Sequence, residues 1–112
     1  MKKVEIILRA AKFKDVKQAL DEIGVHFFIF YDVKGYGKVK ENEQTYRGQT
    51  YDDGVIRRVK IELVLDASAV EQVVQCVLDH GATGEVGDGK IFVYDLEQVY
   101  RIRTGETGNH AL

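Results

Sequence analysis

Along this chain the hydrophobic period changes from about two residues to about 3.6 and back, and does so twice. In Lys2 to Leu8, Val4, Ile6 and Leu8 share one face, Lys3 and Glu5 the other, and Ile7 joins them. From Lys12 to Ile23 the apolar stripe is Phe13, Val16, Leu20 and Ile23, with Lys12, Lys14, Asp15, Lys17, Asp21 and Glu22 outward. Gly24 reads as the C′ stop of that helix. Val25 to Val33 carries Phe27, Phe28, Ile29, Phe30 and Tyr31, and reads as a buried strand whose aromatics pack the core. The second round begins near Val55, where Val59, Ile61, Leu63 and Leu65 alternate with Arg58, Lys60, Glu62 and Val64. Ser68-Ala69-Val70-Glu71 has the capping-box pattern and opens a helix bearing Val70, Val73, Val74, Val77 and Leu78. Gly81 reads as its C′ stop, and a strand follows over Lys90 to Leu96. Val16 precedes Gly24 by the same spacing as Val73 precedes Gly81, the mark of a faint duplication.

Two β-α-β halves predict an α+β fold of the ferredoxin-like, split β-α-β kind, a sandwich with an antiparallel four-stranded sheet and both helices on one face. The other face needs cover, which a further copy of the chain would supply, hence a homo-oligomer. The 112 residues suffice for a single domain over 1–112. A net charge of −2 argues against nucleic acid or an anionic membrane as the main partner. No apolar run approaches the roughly 20 residues of a membrane helix, so no direct membrane insertion is expected. Met1-Lys2-Lys3 leads straight into a strand without a secretory pattern. The lone Cys76 cannot form an internal disulfide, which fits a cytoplasmic location.

Chemistry concentrates in Thr83-Gly84-Glu85-Val86-Gly87-Asp88-Gly89-Lys90-Ile91-Phe92-Val93. Glycines allow positive φ, and amides turned inward by such a loop form an anion-binding concavity. Lys90 stands where the loop meets the strand and offers an ammonium to a phosphate. Arg101-Ile102-Arg103 adds two guanidiniums at i and i+2, which share a face if the segment is extended. Together these point to a phosphorylated small molecule, although a tight turn accounts for the glycines alone. Between Gly37 and Val55 lies a polar segment with no sustained period. Such long loops tend to be functional or mobile. Its Tyr46 and Tyr51 are contact or modification points, or they tack the loop to the surface.

Over nearly its whole length the chain resembles the PII nitrogen-regulatory signal-transduction proteins. The glycine loop and strand over 83–93 match the family motif throughout, Tyr100 to Gly108 match it nearly unaltered, and Tyr46-Arg47-Gly48 with Tyr51 match it in part. The resemblance implies a homotrimer that binds ATP or ADP in clefts between subunits. The B-loop (about 82–90) would hold phosphates with Gly87, Asp88, Gly89 and Lys90. Arg101 and Arg103 of a neighbour's C-terminal loop (about 101–112) would close on them. Gly35, Gly37 and Lys38 would stand beside the nucleotide at the start of the T-loop (about 37–55), with Ile7 and Val64 lining the adenine pocket and Glu62 near the ribose. The T-loop would dock on a target protein, an ammonium transporter above all. Tyr51 aligns with a tyrosine that some relatives uridylylate, and Gln49 stands where some carry a phosphorylated serine.

The chain departs from the family at Val39, where relatives have a glutamine that helps hold Mg²⁺ between ATP and 2-oxoglutarate. Valine has no oxygen for a hard cation. Strong Mg²⁺-dependent 2-oxoglutarate binding is therefore not expected, although Arg58 keeps the charge of the lysine that meets that ligand. Phe27 and Ile29 replace smaller or hydroxyl residues at the adenine end. Two alternatives stand beside this reading: a PII-like module for another nucleotide, and a regulatory domain of a larger transporter chain. An enzyme is not expected, since none of His26, His80, His110, Asp88 or Glu62 sits in a catalytic pattern; no metal site is expected around Cys76 either.

Overall fold

The computed structural model describes residues 1–37, 43–46, 49–52 and 54–112, without the side chains of 43–46 and 49–52. The elements are β1 (Lys2–Leu8), α1 (Ala10–Glu22), β2 (Ile29–Tyr36), β3 (Glu43–Tyr46), β4 (Gln49–Asp52), β5 (Val55–Leu65), α2 (Val70–Gly81) and β6 (Lys90–Asp95). The main sheet has four strands in the order β2-β5-β1-β6, all neighbours antiparallel. This is the expected ferredoxin-like sandwich.

The core follows from the alternation. Val4, Ile6 and Leu8 of β1 and Ile61 and Leu63 of β5 point to the helix side, against Val16, Ala19 and Leu20 of α1 and Val73, Cys76 and Val77 of α2. Glu5, Ile7, Lys60, Glu62 and Val64 consequently face the other side. Among the described residues no helix covers that side, and Val64, Phe92 and Tyr94 are exposed there.

Several local expectations needed correction. Gly24 does end α1: its φ is 94°, its N–H donates to Asp21 O, and Val25 N–H donates to Leu20 O, the Schellman arrangement. Gly81 does not end α2 in this way. It is the last helical residue, without positive φ, and a Cβ there would sit 3.3 Å from Val16 Cγ2, so its smallness lets the helices approach. The two halves thus use their glycines differently, so the shared valine-to-glycine spacing does not mark a shared helix ending. Ser68 is not the cap either. Asp66 accepts from both Ser68 N–H and Ser68 Oγ, and starts a short 3-10 turn that leads into α2.

The aromatics at 27–31 are not one buried group. Phe28 packs against the core and Phe30 stacks on Phe13 at 4.6 Å, but Phe27 is 81% exposed. The reason is position: β2 is an edge strand and begins only at Ile29. Finally, the segment that lacks a period contains a hairpin, with β3 paired to β4 from Glu43↔Asp52 to Tyr46↔Gln49. Strands of four residues are too short for an alternation to stand out.

Candidate functional site

The register of the sheet places the expected residues. Ile7 lies opposite Lys60 on one side and Lys90 on the other. Glu62 lies opposite Glu5 and Ile29, and Val64 opposite Lys3. Ile7, Glu62, Val64 and Lys90 therefore share the helix-free face. Glu62 is tied to Lys3 Nζ at 2.8 Å and accepts from the Tyr31 hydroxyl. The Lys3 contact, then the Tyr31 hydroxyl, holds its carboxyl below the usual range. Lys60 pairs with the buried Glu5 at 3.0 Å.

At one end of this face sits the glycine loop. Gly84, Gly87 and Gly89 all have positive φ. For Gly89 the need is absolute: a Cβ would lie 1.8 Å from the Ile7 carbonyl oxygen, so only glycine lets the loop enter β6 this close to β1. Asp88 organises the loop from within. Its carboxylate accepts from Thr83 Oγ, from the Thr83 and Gly84 amides at 2.8 and 3.0 Å, and from Arg9 Nε at 2.9 Å. The Thr83 hydroxyl foremost, then Arg9, keeps this carboxyl far below the usual carboxylate range. Lys90, the first residue of β6, is exposed.

Behind the loop stand two guanidiniums. Arg9 Nη2 donates to Val86 O at 2.8 Å, and Arg58 donates to Gly87 O at 2.7 and 3.1 Å. Arg58 is therefore in the loop's backing. Burial, then the nearness of Arg9, makes its proton somewhat easier to lose. Arg9 was missed at the sequence level. Its partner Asp88 is 79 positions away, and nothing local marks the pairing. The same end of the sheet carries Gly35, opposite Ile56, and Gly37, whose N–H donates to Gly54 O at 2.8 Å and closes the base of the 38–53 segment. Lys38, Val39, Arg47 and Gly48 lie outside the described residues, as does the Tyr51 side chain.

The arginines at 101 and 103 are not on one face of an extended segment. Ile102 to Thr104 form a turn. Arg101 pairs with Glu106 at 3.2 Å and donates to Leu112 O at 3.1 Å, while Arg103 is exposed. Asn109 clips the tail to Asp66 at 2.8 Å, near the row where Lys2 meets Leu65 and Asp95. The loop enters at the row of Ile7 and Lys90, about 17 Å away along the strands. The tail is therefore fastened at the opposite end of its own sheet from the loop.

Among the described residues, no three of His, Cys, Asp and Glu converge as a metal would require, and no helix is long and apolar enough to cross a membrane. The arrangement is a backbone cradle with cations around it, suited to holding an anion.

Residues 1–106 match the family model described as nitrogen regulatory protein P-II. The chain is 43% identical to the nitrogen regulatory protein P-II of Rhodospirillum rubrum over 112 residues, with both chains covered in full. It is 42% identical to the nitrogen regulatory protein P-II 1 of Methanothermobacter thermautotrophicus, covering 97% of that protein and all of this chain. Among solved structures it is similar to the Arabidopsis thaliana PII bound to citrate, with a TM-score of 0.78, 35% identity, and 99% and 91% of the two chains covered.

Proposed function

Because the chain belongs to the nitrogen regulatory protein P-II family, and so is a regulatory protein rather than an enzyme, we propose that it is an adenine-nucleotide sensor. ATP and ADP compete for clefts between the subunits of a homotrimer. Gly87, Asp88, Gly89 and Lys90 receive the phosphates, with Gly35, Gly37 and Lys38 beside them. Ile7, Val64 and Glu62 of the helix-free face take the nucleoside, and Arg101 and Arg103 arrive from the neighbour. The T-loop reports the bound nucleotide to a target protein in the cytoplasm, an ammonium transporter, and Tyr51 is its modification point. A ligand shifts such a loop only by its differential affinity for the two conformers.

The observation that carries this reading is the placement of Gly89. Its contact with β1, together with the Arg58 bond to Gly87 O, sets the loop and Lys90 at the sheet end that also carries Gly35 and Gly37. The fastening of the tail at Asp66, at the opposite end of the sheet from the loop, supports the assignment of the arginines to a second copy. Arg58, turned to the Gly87 carbonyl, and Val39 support a weak response to 2-oxoglutarate with Mg²⁺. Calorimetric titration with ATP and with ADP tests the proposal: both bind, each displacing the other. Absence of heat from either at millimolar nucleotide overturns it, and tighter binding of AMP or a cyclic nucleotide redirects it to a PII-like module for that ligand.

A further inference from the structure

We infer that Arg9 is a positioning residue for the anion-binding loop, acting on the peptide planes that face the ligand rather than on the ligand. The inference rests on the phosphate-cradle reading above. Arg9 follows β1, and its guanidinium makes two contacts with the loop: Nε to Asp88 Oδ1 at 2.9 Å and Nη2 to Val86 O at 2.8 Å. Arg58 holds the next carbonyl, Gly87 O. In a planar trans peptide the C=O and the following N–H point in opposite directions. With Val86 O held on Arg9, the Gly87 N–H is aimed away from that guanidinium. With Gly87 O held on Arg58, the Asp88 N–H is aimed away from the second. No described residue accepts from the Gly87 N–H. A carbonyl bonded to a cation also polarises its peptide unit, which strengthens the amide as a donor.

The local chemistry of Arg9 points the same way. Arg9 stands at the N-cap of α1, where Ser, Thr, Asp or Asn would satisfy the helix's first amides. Its side chain gives no cap, and α1 has no acidic residue in its first turn. The position thus forgoes helix stabilisation while its side chain serves the loop.

The test compares wild type, Arg9→Ala, Arg9→Lys, Asp88→Asn and the Arg9→Ala/Asp88→Asn double variant. ATP and adenosine are titrated by calorimetry, and thermal melting checks the fold. In Arg9→Ala, ATP affinity falls about tenfold, the effect of a lost charge-assisted hydrogen bond, while adenosine affinity stays unchanged. Arg9→Lys recovers part of the loss, and the double variant is no weaker than the worse single one, because the residues act as one unit. Should Arg9→Ala not fold, Arg9→Gln takes its place. In ligand-free protein, the Gly87 amide resonance moves in Arg9→Ala. An equal loss for ATP and adenosine, wild-type ATP affinity in Arg9→Ala, or an unmoved Gly87 amide overturns the inference. A wild type that binds no ATP overturns the nucleotide reading instead, and the amide resonance then judges Arg9 alone.

Discussion

At the scale of single residues, the loop depends on two that cannot be exchanged. Gly89→Ala adds a methyl 1.8 Å from the Ile7 carbonyl at a φ of 101°. We expect a loss of at least about 3 kcal/mol in urea denaturation, from overpacking and left-handed strain together. Asp88 sets a pH dependence. Its folded pKa is depressed, so the unfolded chain binds the proton more readily, and stability rises with pH through that window. The contribution is present above the ordinary carboxylate range and is lost as pH falls below it. Melting curves of wild type and Asp88→Asn should accordingly differ at neutral pH and converge in acid. A difference that persists unchanged in acid would count against the Asp88 bonds. Both residues sit in a motif that reads as an anion loop, but their roles differ in origin. Gly89 answers to a neighbouring strand, and Asp88 to Thr83, Gly84 and a distant arginine.

At the scale of elements, the ends of the two helices separate local from tertiary causes. Gly24 has a φ of 94° and open space where its Cβ would be, so Gly24→Ala meets strain alone. The expected loss is about 1–2 kcal/mol. Gly81 has no such φ and meets Val16 instead. A Gly81→Ala change that is destabilising in wild type should become neutral or slightly stabilising beside Val16→Ala, since the clash is gone and alanine in a helix is favoured over glycine by up to about 1 kcal/mol, less in the last turn. Equilibrium unfolding of the four proteins decides it. At the start of α2, Asp66→Ala should lower the melting temperature more than Ser68→Ala, because Asp66 is the acceptor and also holds Asn109. Sequence pattern alone puts serine first there, since it shows the spacing to Glu71 and cannot show which oxygen the chain turns toward.

At the scale of the molecule, the single chain leaves a sheet face without a layer. Tyr31, Val64, Phe92 and Tyr94 are exposed on it among the paired charges of Lys3, Glu5, Lys60 and Glu62. Uncovered apolar area of this kind favours association. Wild type should sediment as a trimer at micromolar concentration. Phe92→Glu, which sets a second carboxylate opposite Glu5, should release monomers at the same concentration. If Phe92→Glu remains trimeric, the face is not the seam. Under the proposed assignment of Arg101 and Arg103 to a neighbour's site, loss of the trimer should also abolish ATP binding.

The order of the four main strands and two helices, the core of Val4, Ile6, Leu8, Ile61 and Leu63, and the glycine turn that leads into β6 were all legible in the chain. Each rests on periodicity or on glycine, which act between near neighbours in sequence. The backing of the loop by Arg9 and Arg58, the close helix approach at Gly81, and the exposure of Phe27 were not legible. These depend on which strands lie side by side and which strand is left at the edge. Such pairings join residues tens of positions apart, and only the assembled sheet brings them together.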